Sequence, residues 1–300
     1  IPKCDVRAGF QQILPISAGD RVLREEEVRS LQHLQNTWSV DENAVEWVDL
    51  YDVLPEFNAI VTKRIFADEA LRVFRKMDIG RRFGIKSNSH RLTDAMSRIG
   101  AALGRFHDLS IHRELFSWKS ELPKIETYCN DLADKTNCEL PRSVFNKIQS
   151  YSDVEISGYE TTTLKGIDIR NVLIDQSDKL YFLDPGKTKS AFREADLARF
   201  AITYRILYWG STTLLLAQQP DTHAEREFLR SYYENTLPCN ELLLNFYLVK
   251  EQLKHWSTAL VSLQKRNWSS LPKHLAARIY VNPFYSKQIE LQLQRLTVEL

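Results

Sequence analysis

The stretch from Thr161 to Arg199, TTTLKGIDIRNVLIDQSDKLYFLDPGKTKSAFREADLAR, constrains this chain more than any other. Within it GIDIRNVL, YFLDPG and EADLA each set a metal-ligand type of side chain beside a short apolar run. Asn171-Val172-Leu173-Ile174 reads as a strand opened by an amide, and Lys179-Leu180-Tyr181-Phe182-Leu183 as a second strand that ends on Asp184-Pro185-Gly186. Asp175, Gln176, Ser177 and Asp178 are turn formers, so the spacing predicts a hairpin with Asn171 and Asp184 at the same end. An amide and a carboxylate held side by side are hard-oxygen ligands suited to Mg²⁺, an ion that in phosphoryl transfer also bridges phosphates.

Composition sets the outer limits. Three hundred residues with 43% apolar content can bury one large core or two modest ones, and the ten glycines suit a helix-rich chain better than an all-β one. A net charge of +1 selects neither nucleic acid nor an acidic membrane by overall field. Cys4, Cys129, Cys138 and Cys239 are far apart with no CxxC spacing, which reads as reduced thiols of a cytoplasmic protein. No apolar run approaches the ~18 residues of a membrane span, and no signal peptide is visible, so no transmembrane segment is expected.

The fragments RNVL, LDPG and ADLA together resemble the aminoglycoside phosphotransferase and choline kinase group of protein-kinase-like enzymes. The core of that group reads roughly H-G-D-x-x-x-x-N-(V/I)-L, then I-D-(F/P)-G, then D-L-A. The steps from Asn171 to Asp184 and from Asp184 to Asp196 match the usual spacing of these anchors. The resemblance implies an α+β, two-lobed protein-kinase-like fold. Residues 1–65 would form a small β-containing N-terminal nucleotide-binding lobe, and residues 66–300 a large, mainly helical C-terminal lobe with the catalytic hairpin over 161–199. It further implies ATP or another nucleoside triphosphate and Mg²⁺ as cofactors, with Asn171 and Asp184 as metal ligands.

One anchor departs from the pattern. The group's catalytic Asp lies five residues before the Asn, and Gly166 stands there. Either the Asp is replaced by Gly166, or one residue is missing between Gly166 and Ile167, in which case Gly166 falls on the group's Gly and Lys165 on its His. The remaining candidates for chemistry on the loop are Asp168, as a carboxylate facing the cleft or a turn former, and Lys165 and Arg170, as cations facing a transferring phosphoryl group or solvent.

Elsewhere the apolar spacing predicts helices over 18–35, 92–109, 116–133, 141–151, 198–218, 222–234, 239–264 and 285–296, with a loop over 135–140. Strands are predicted over 45–50 and 59–62, joined by a turn at Pro55-Glu56-Phe57-Asn58. The resemblance makes the first helix the carrier of a glutamate that pairs with a phosphate-binding lysine. Its register favours Glu27 over Glu25 and Glu26, and a solvated acidic face is the plainer alternative. A glycine-rich loop and its lysine-bearing strand are expected upstream of Ile1; Lys3 reads as a solvated lysine near that strand rather than as the phosphate-binding one. The backbone near Thr62, Lys63 and Arg64 would take the adenine edge, with Leu173 beside it.

Basic residues from Arg64 through Arg72, Arg75, Lys76, Arg81 and Arg82 to Lys86 alternate with Phe66, Phe74 and Phe83, which reads as an anionic-ligand surface or as the charged face of an amphipathic helix. His107 is expected to be buried and hydrogen-bonded, Asp196 to brace the catalytic loop, and the aromatics after Leu197, from Tyr204 to Trp268, to be mostly core. The function implied is phosphoryl transfer to a hydroxyl of a small molecule, sugar-like or another metabolite. A catalytically silent nucleotide-binding module is the alternative, and an anion-binding scaffold acting through 64–86 a third.

Overall fold

The computed structural model describes residues 18–38, 45–54, 59–82, 90–209, 222–234, 236–265 and 270–298. Lys3, the turn at Pro55–Asn58, Phe83, Lys86, residues 210–218 and Trp268 lie outside the described residues, as do the side chains of Arg81, Arg82, Tyr208 and Trp209. The chain is a mixed α+β protein that divides into two compact units.

The first unit comprises Ile1–Leu109, Thr162–Ser190 and Arg226–Thr236. Helix α1 (Ala18–Thr37) buries Leu31 and Leu34, the stripe expected from the apolar spacing. Strand β1 (Glu46–Trp47) is followed by an antiparallel pair, β2 (Leu50–Leu54) and β3 (Ala59–Thr62), with a register shift between Leu50 and Asp52. Next come β4 (Asp68–Glu69), α2 (Ala70–Arg82) and α3 (His90–Asp108). The single strand expected over 45–50 is therefore two pieces, and residues 50–54 make the pairing with 59–62. Burial explains the split. Val45, Trp47 and Val48 are withdrawn into an aromatic cluster in which Trp47 stacks on Phe182 at 4.9 Å and meets Trp38 edge-on at 5.8 Å. Strand β1 pairs in parallel with the hairpin instead.

Within the same unit His107 is fully buried, its Nδ1 lying 2.8 Å from the Tyr232 hydroxyl, as expected for a packed histidine. The basic segment divides. Phe74 joins the core, whereas Arg64 lies over the exposed Phe66 ring at 4.6 Å and Arg72 and Lys76 are exposed.

The second unit comprises Ser110–Thr161, Ala191–Glu225 and Leu237–Leu300. It contains β5 (His112–Phe116), α4 (Trp118–Thr136), α5 (Leu140–Gln149) and most of β6 (Ile156–Leu164). Strands β5 and β6 run antiparallel from His112↔Glu160 to Phe116↔Ile156. Phe116, expected to open a helix, ends β5, because its ring is packed edge-on against Trp118, Phe246 and Phe192. The helix starts at Trp118 and ends at Thr136, where Asn137 takes a left-handed conformation (φ 52°) and its N–H caps the Ala133 carbonyl. That extension and the start of α5 at Leu140 shorten the loop expected over 135–140.

Helix α6 (Glu194–Tyr204) begins earlier than expected and passes into a π-helical turn, Arg205–Trp209. Helices α7 (His223–Tyr233), α8 (Glu241–Gln264), α9 (Ser270–Ala276) and α10 (Asn282–Val298) complete the chain, with a second π-helical turn at Ala277–Val281. Most of the aromatics here are core, with Tyr204, Phe246 and Trp256 buried. Among the described residues Cys129, Cys138 and Cys239 form no disulfide, and burial pushes the Cys129 thiol up to about 12. Among the described residues no helix is long and apolar enough to cross a membrane.

Candidate functional site

The hairpin of the first unit forms as its sequence predicts. Strands β7 (Val172–Ile174) and β8 (Leu180–Phe182) pair antiparallel with Val172↔Phe182, Leu173↔Tyr181 and Ile174↔Leu180 in register. They are the inner strands of a four-stranded sheet ordered β1-β8-β7-β4. Alternation decides the faces: Val172, Ile174, Leu180 and Phe182 are buried, and Leu173 is half-buried between its Cα partners Tyr181 and Glu69. At the turn Asp178 takes φ 66°, and Arg91 and Arg98 of α3 hold it from outside. Arg98 Nη2 donates to the Asp178 carbonyl at 2.7 Å, and Arg91 forms an ion pair with the Asp178 carboxylate.

The open end brings Asn171 and Asp184 together. Leu183 N donates to the Asn171 carbonyl at 2.9 Å, and Asn171 Nδ2 donates to the carbonyls of Gly166 (2.9 Å) and Asp184 (3.3 Å). The Asp184 carboxylate accepts the Gly186 N–H at 2.8 Å through Oδ1. Asn171 Oδ1 and Asp184 Oδ2 accept no hydrogen bond from a described residue. Two uncommitted hard oxygens on neighbouring half-buried residues fit an ion that takes few protein ligands and keeps water and phosphate oxygens for the rest, as Mg²⁺ does. Among the described residues no group of three or more His, Cys, Asp or Glu side chains could hold a metal, so a cage made wholly of such side chains is not the design.

The backbone beside this pair is tied by crossing hydrogen bonds. Gly166 N donates to the Pro185 carbonyl at 2.8 Å, and Lys165 N to the Lys187 carbonyl at 3.0 Å. A Cβ on residue 166 would lie 1.9 Å from the Asp184 carbonyl oxygen. Gly186, at φ 61°, would bring a Cβ to 2.9 Å from Gly166 N. Two glycines back to back let the strands approach this closely.

Asp168 and Arg170 form a local clamp. Asp168 caps the 3₁₀ turn Ile169–Asn171, its Oδ1 accepting Arg170 N at 2.9 Å and Arg170 Nε at 3.0 Å, while its Oδ2 accepts Arg170 Nη2 at 2.5 Å. The Asp168 side chain is 7% exposed and that of Arg170 61%. These hydrogen bonds raise the Arg170 guanidinium above its ordinary value. Lys165 is exposed.

Of the three consecutive glutamates on α1, Glu26 reaches the hairpin: Lys187 Nζ donates to its Oε1 at 2.5 Å. Glu27 is half-buried on the same helix. Thr62 ends β3 as the Cα partner of Leu50. The Lys63 N–H is committed to the Asp49 carbonyl at 2.8 Å, and the Lys63 ammonium to the Asp49 carboxylate at 3.1 Å, whose hydrogen bond raises its pKa. Lys187, three residues after Asp184, was not singled out by sequence reasoning. In the second unit Asp196 is fully buried and accepts from Arg199 Nη1 at 2.8 Å.

No protein-family model matches the sequence, and no curated protein does. Solved structures do match. A choline/ethanolamine kinase family protein from Mesorhizobium loti superposes with a TM-score of 0.54 at 13% identity, over 92% of this chain and 82% of that one. A glucosamine kinase gives 0.55 at 10%, over 91% and 70%. The gentamicin–APH(2″)-IIa complex gives 0.52 at 10%, over 92% and 85%. At such identities the likeness is one of backbone, and by it this chain has the protein-kinase-like fold.

Proposed function

We propose that this chain is a Mg-nucleotide-dependent phosphotransferase acting on a hydroxyl of a small molecule. The observation that carries the reading is the adjacency of Asn171 and Asp184, each with a side-chain oxygen left uncommitted by described residues. A divalent ion held there would neutralise charge on the phosphate oxygens it bridges. Leu173 would lie beside the base, and the backbone of Thr62 would take part of its edge; the Lys63 N–H, bound to Asp49, would not. Arg170 and Lys165 supply positive charge on the same loop. The structural neighbours named for choline/ethanolamine, glucosamine and gentamicin support an acceptor of metabolite size. The absence of a dense acid cluster after Glu234 in the sequence favours a neutral or anionic acceptor such as a sugar over a polycation.

A second reading is favoured by a specific feature of the loop. Gly166 has no room for a side chain, and the Asp168 carboxylate is buried under Arg170. A loop so arranged suits a nucleotide-binding module without transfer chemistry. Losing a positioned base slows such a reaction by roughly 10²–10⁴-fold without abolishing nucleotide binding. ADP release from Mg-ATP in the presence of a panel of sugars and amino alcohols, with Asp184→Ala as control, separates the two. Acceptor-dependent release that the control lacks supports the enzyme. Tight Mg-ATP binding without release supports the silent module, and an Asp184→Ala chain that binds Mg-ATP like the unsubstituted one removes both.

A further inference from the structure

We infer that Lys187 is a polyphosphate-binding residue, steadied by Glu26 and presented on the turn that carries Asp184. The inference rests on the Mg-nucleotide reading above and gives a role to a group that reading leaves unused. Lys187 follows Asp184 by three positions and leaves the chain at the crossing where Lys165 N donates to the Lys187 carbonyl at 3.0 Å. Gly186 would bring a Cβ to 3.2 Å from Lys165 Cβ, so the two lysines leave two closely crossing segments side by side. Two exposed lysines thus stand on the segments that carry Gly166 and Asp184, beside the pair of uncommitted oxygens. That charge pattern suits a metal-bound polyphosphate, because the ion satisfies only part of the phosphate charge and lysine supplies compact point charges for the remainder.

The ion pair with Glu26 is asymmetric, and the asymmetry favours a ligand. The Glu26 side chain is 24% exposed and that of Lys187 54%, so the acid, carried on α1, is the more enclosed partner and the lysine side chain stays open to solvent. Docking of α1 on this turn does not depend on the pair: Thr188 N also donates to Ser30 Oγ at 3.3 Å, and Ser30 is buried, its hydroxyl donating to the Glu26 carbonyl at 2.8 Å. Glu26 therefore holds a lysine whose side chain stays more than half exposed.

Calorimetric titration of the full chain with Mg-ATP, Mg-ADP and adenosine tests this, using Lys187→Met, Lys187→Arg and Glu26→Gln, each checked by thermal melting. Lys187→Met is expected to weaken Mg-ATP by about tenfold or more, the effect of losing a charge-assisted hydrogen bond, while adenosine binding changes less than about twofold. Lys187→Arg is expected to restore most of the loss. Glu26→Gln breaks the same ion pair but keeps the cation, so it is expected to keep most of the preference for Mg-ATP over adenosine. Equal losses for Mg-ATP and adenosine in both Lys187→Met and Glu26→Gln would make the pair a tether and overturn the inference. Mg-ATP binding unchanged in Lys187→Met would overturn it while leaving the Mg-nucleotide reading standing. Absence of Mg-ATP binding in the unsubstituted chain would overturn both.

Discussion

A Cβ on residue 166 would stand 1.9 Å from the carbonyl oxygen of Asp184, so Gly166 and Asp184 approach more closely than any residue with a side chain allows. The carbonyl cannot retreat cheaply. It accepts Asn171 Nδ2, and the next carbonyl, that of Pro185, accepts Gly166 N. On this backbone there is no room for an aspartate at position 166 itself. Gly166→Asp is expected to destabilise the chain by about 3 kcal/mol or more through overpacking, visible as a lowered melting temperature. Insertion of an Asp between Gly166 and Ile167 is expected to be tolerated and to raise acceptor-dependent ADP release by roughly 10²–10⁴-fold. A Gly166→Asp chain that melts like the parent would refute the packing argument.

The Asn171 side chain ties two carbonyl-bearing segments together, so its replacement should register in stability before function. Asn171→Ala removes two donors to the Gly166 and Asp184 carbonyls and is expected to cost about 1–3 kcal/mol in denaturant unfolding. Asn171→Asp keeps an oxygen for a metal but turns an acceptor toward two carbonyls, so it should be no more stable than the alanine variant. The two are expected to differ in Mg-dependent nucleotide binding, which the aspartate retains in larger part.

The turn of the hairpin should impose an acid limb on stability. Burial works to raise the Asp175 pKa, but hydrogen bonds from Ser177 Oγ, from the N–H groups of Lys179 and Ser177 and from the Tyr181 hydroxyl outweigh it, holding the carboxyl below its ordinary value. A carboxyl depressed on folding contributes stability that is fully present above its unfolded pKa of about 3.9 and is lost as pH falls through the lower folded value. Asp175→Asn is expected to be less stable than the parent at neutral pH and to lose less on acidification below about pH 4, read by circular dichroism across a pH series.

The parts of this fold that were legible in the sequence are those where one local pattern leaves no competitor. Helix 90–108 was readable from Met96, Ile99, Leu103 and Phe106, and the hairpin from two apolar runs around Asp175–Asp178. Strand β5 was not, because His112, Arg113, Glu114 and Leu115 are all exposed and only Phe116 is buried. Strand β6 was hidden by Gly158, which reads as a breaker. Its glycine is there because a Cβ would meet Leu243 Cδ1 at 2.5 Å and Phe192 Cε1 at 2.8 Å, atoms far away in sequence. Which of Glu25, Glu26 and Glu27 faces a neighbour turns on about 100° of helix rotation per residue, and the partner that Glu26 meets, Lys187, lies more than a hundred residues later. The buried Arg193–Glu194 pair left no trace either, since both residues are ordinary helix-start polar residues until Arg193 is seen donating to the Leu237 and Pro238 carbonyls.

Phe182 links the core of the first unit to its site, and that link is measurable. It is fully buried, stacks on Trp47 at 4.9 Å and lies edge-on to Trp38 at 6.4 Å, while its carbonyl accepts Val48 N at 3.1 Å. It is also the Cα partner of Val172 and stands two residues before Asp184. Phe182→Ala is expected to cost about 3–5 kcal/mol, the usual penalty for emptying an aromatic-sized space in a core. Because β8 is held from β1 through this ring, the cavity should also loosen the end of the hairpin, so Mg-ATP affinity is expected to fall even at temperatures where the variant is folded. Phe182→Leu keeps most of the volume and should recover the greater share of both losses. If Phe182→Ala lost stability alone and bound Mg-ATP like the parent, the position of Asp184 would be set by the crossing at Gly166 and Gly186 and not by the sheet beneath it.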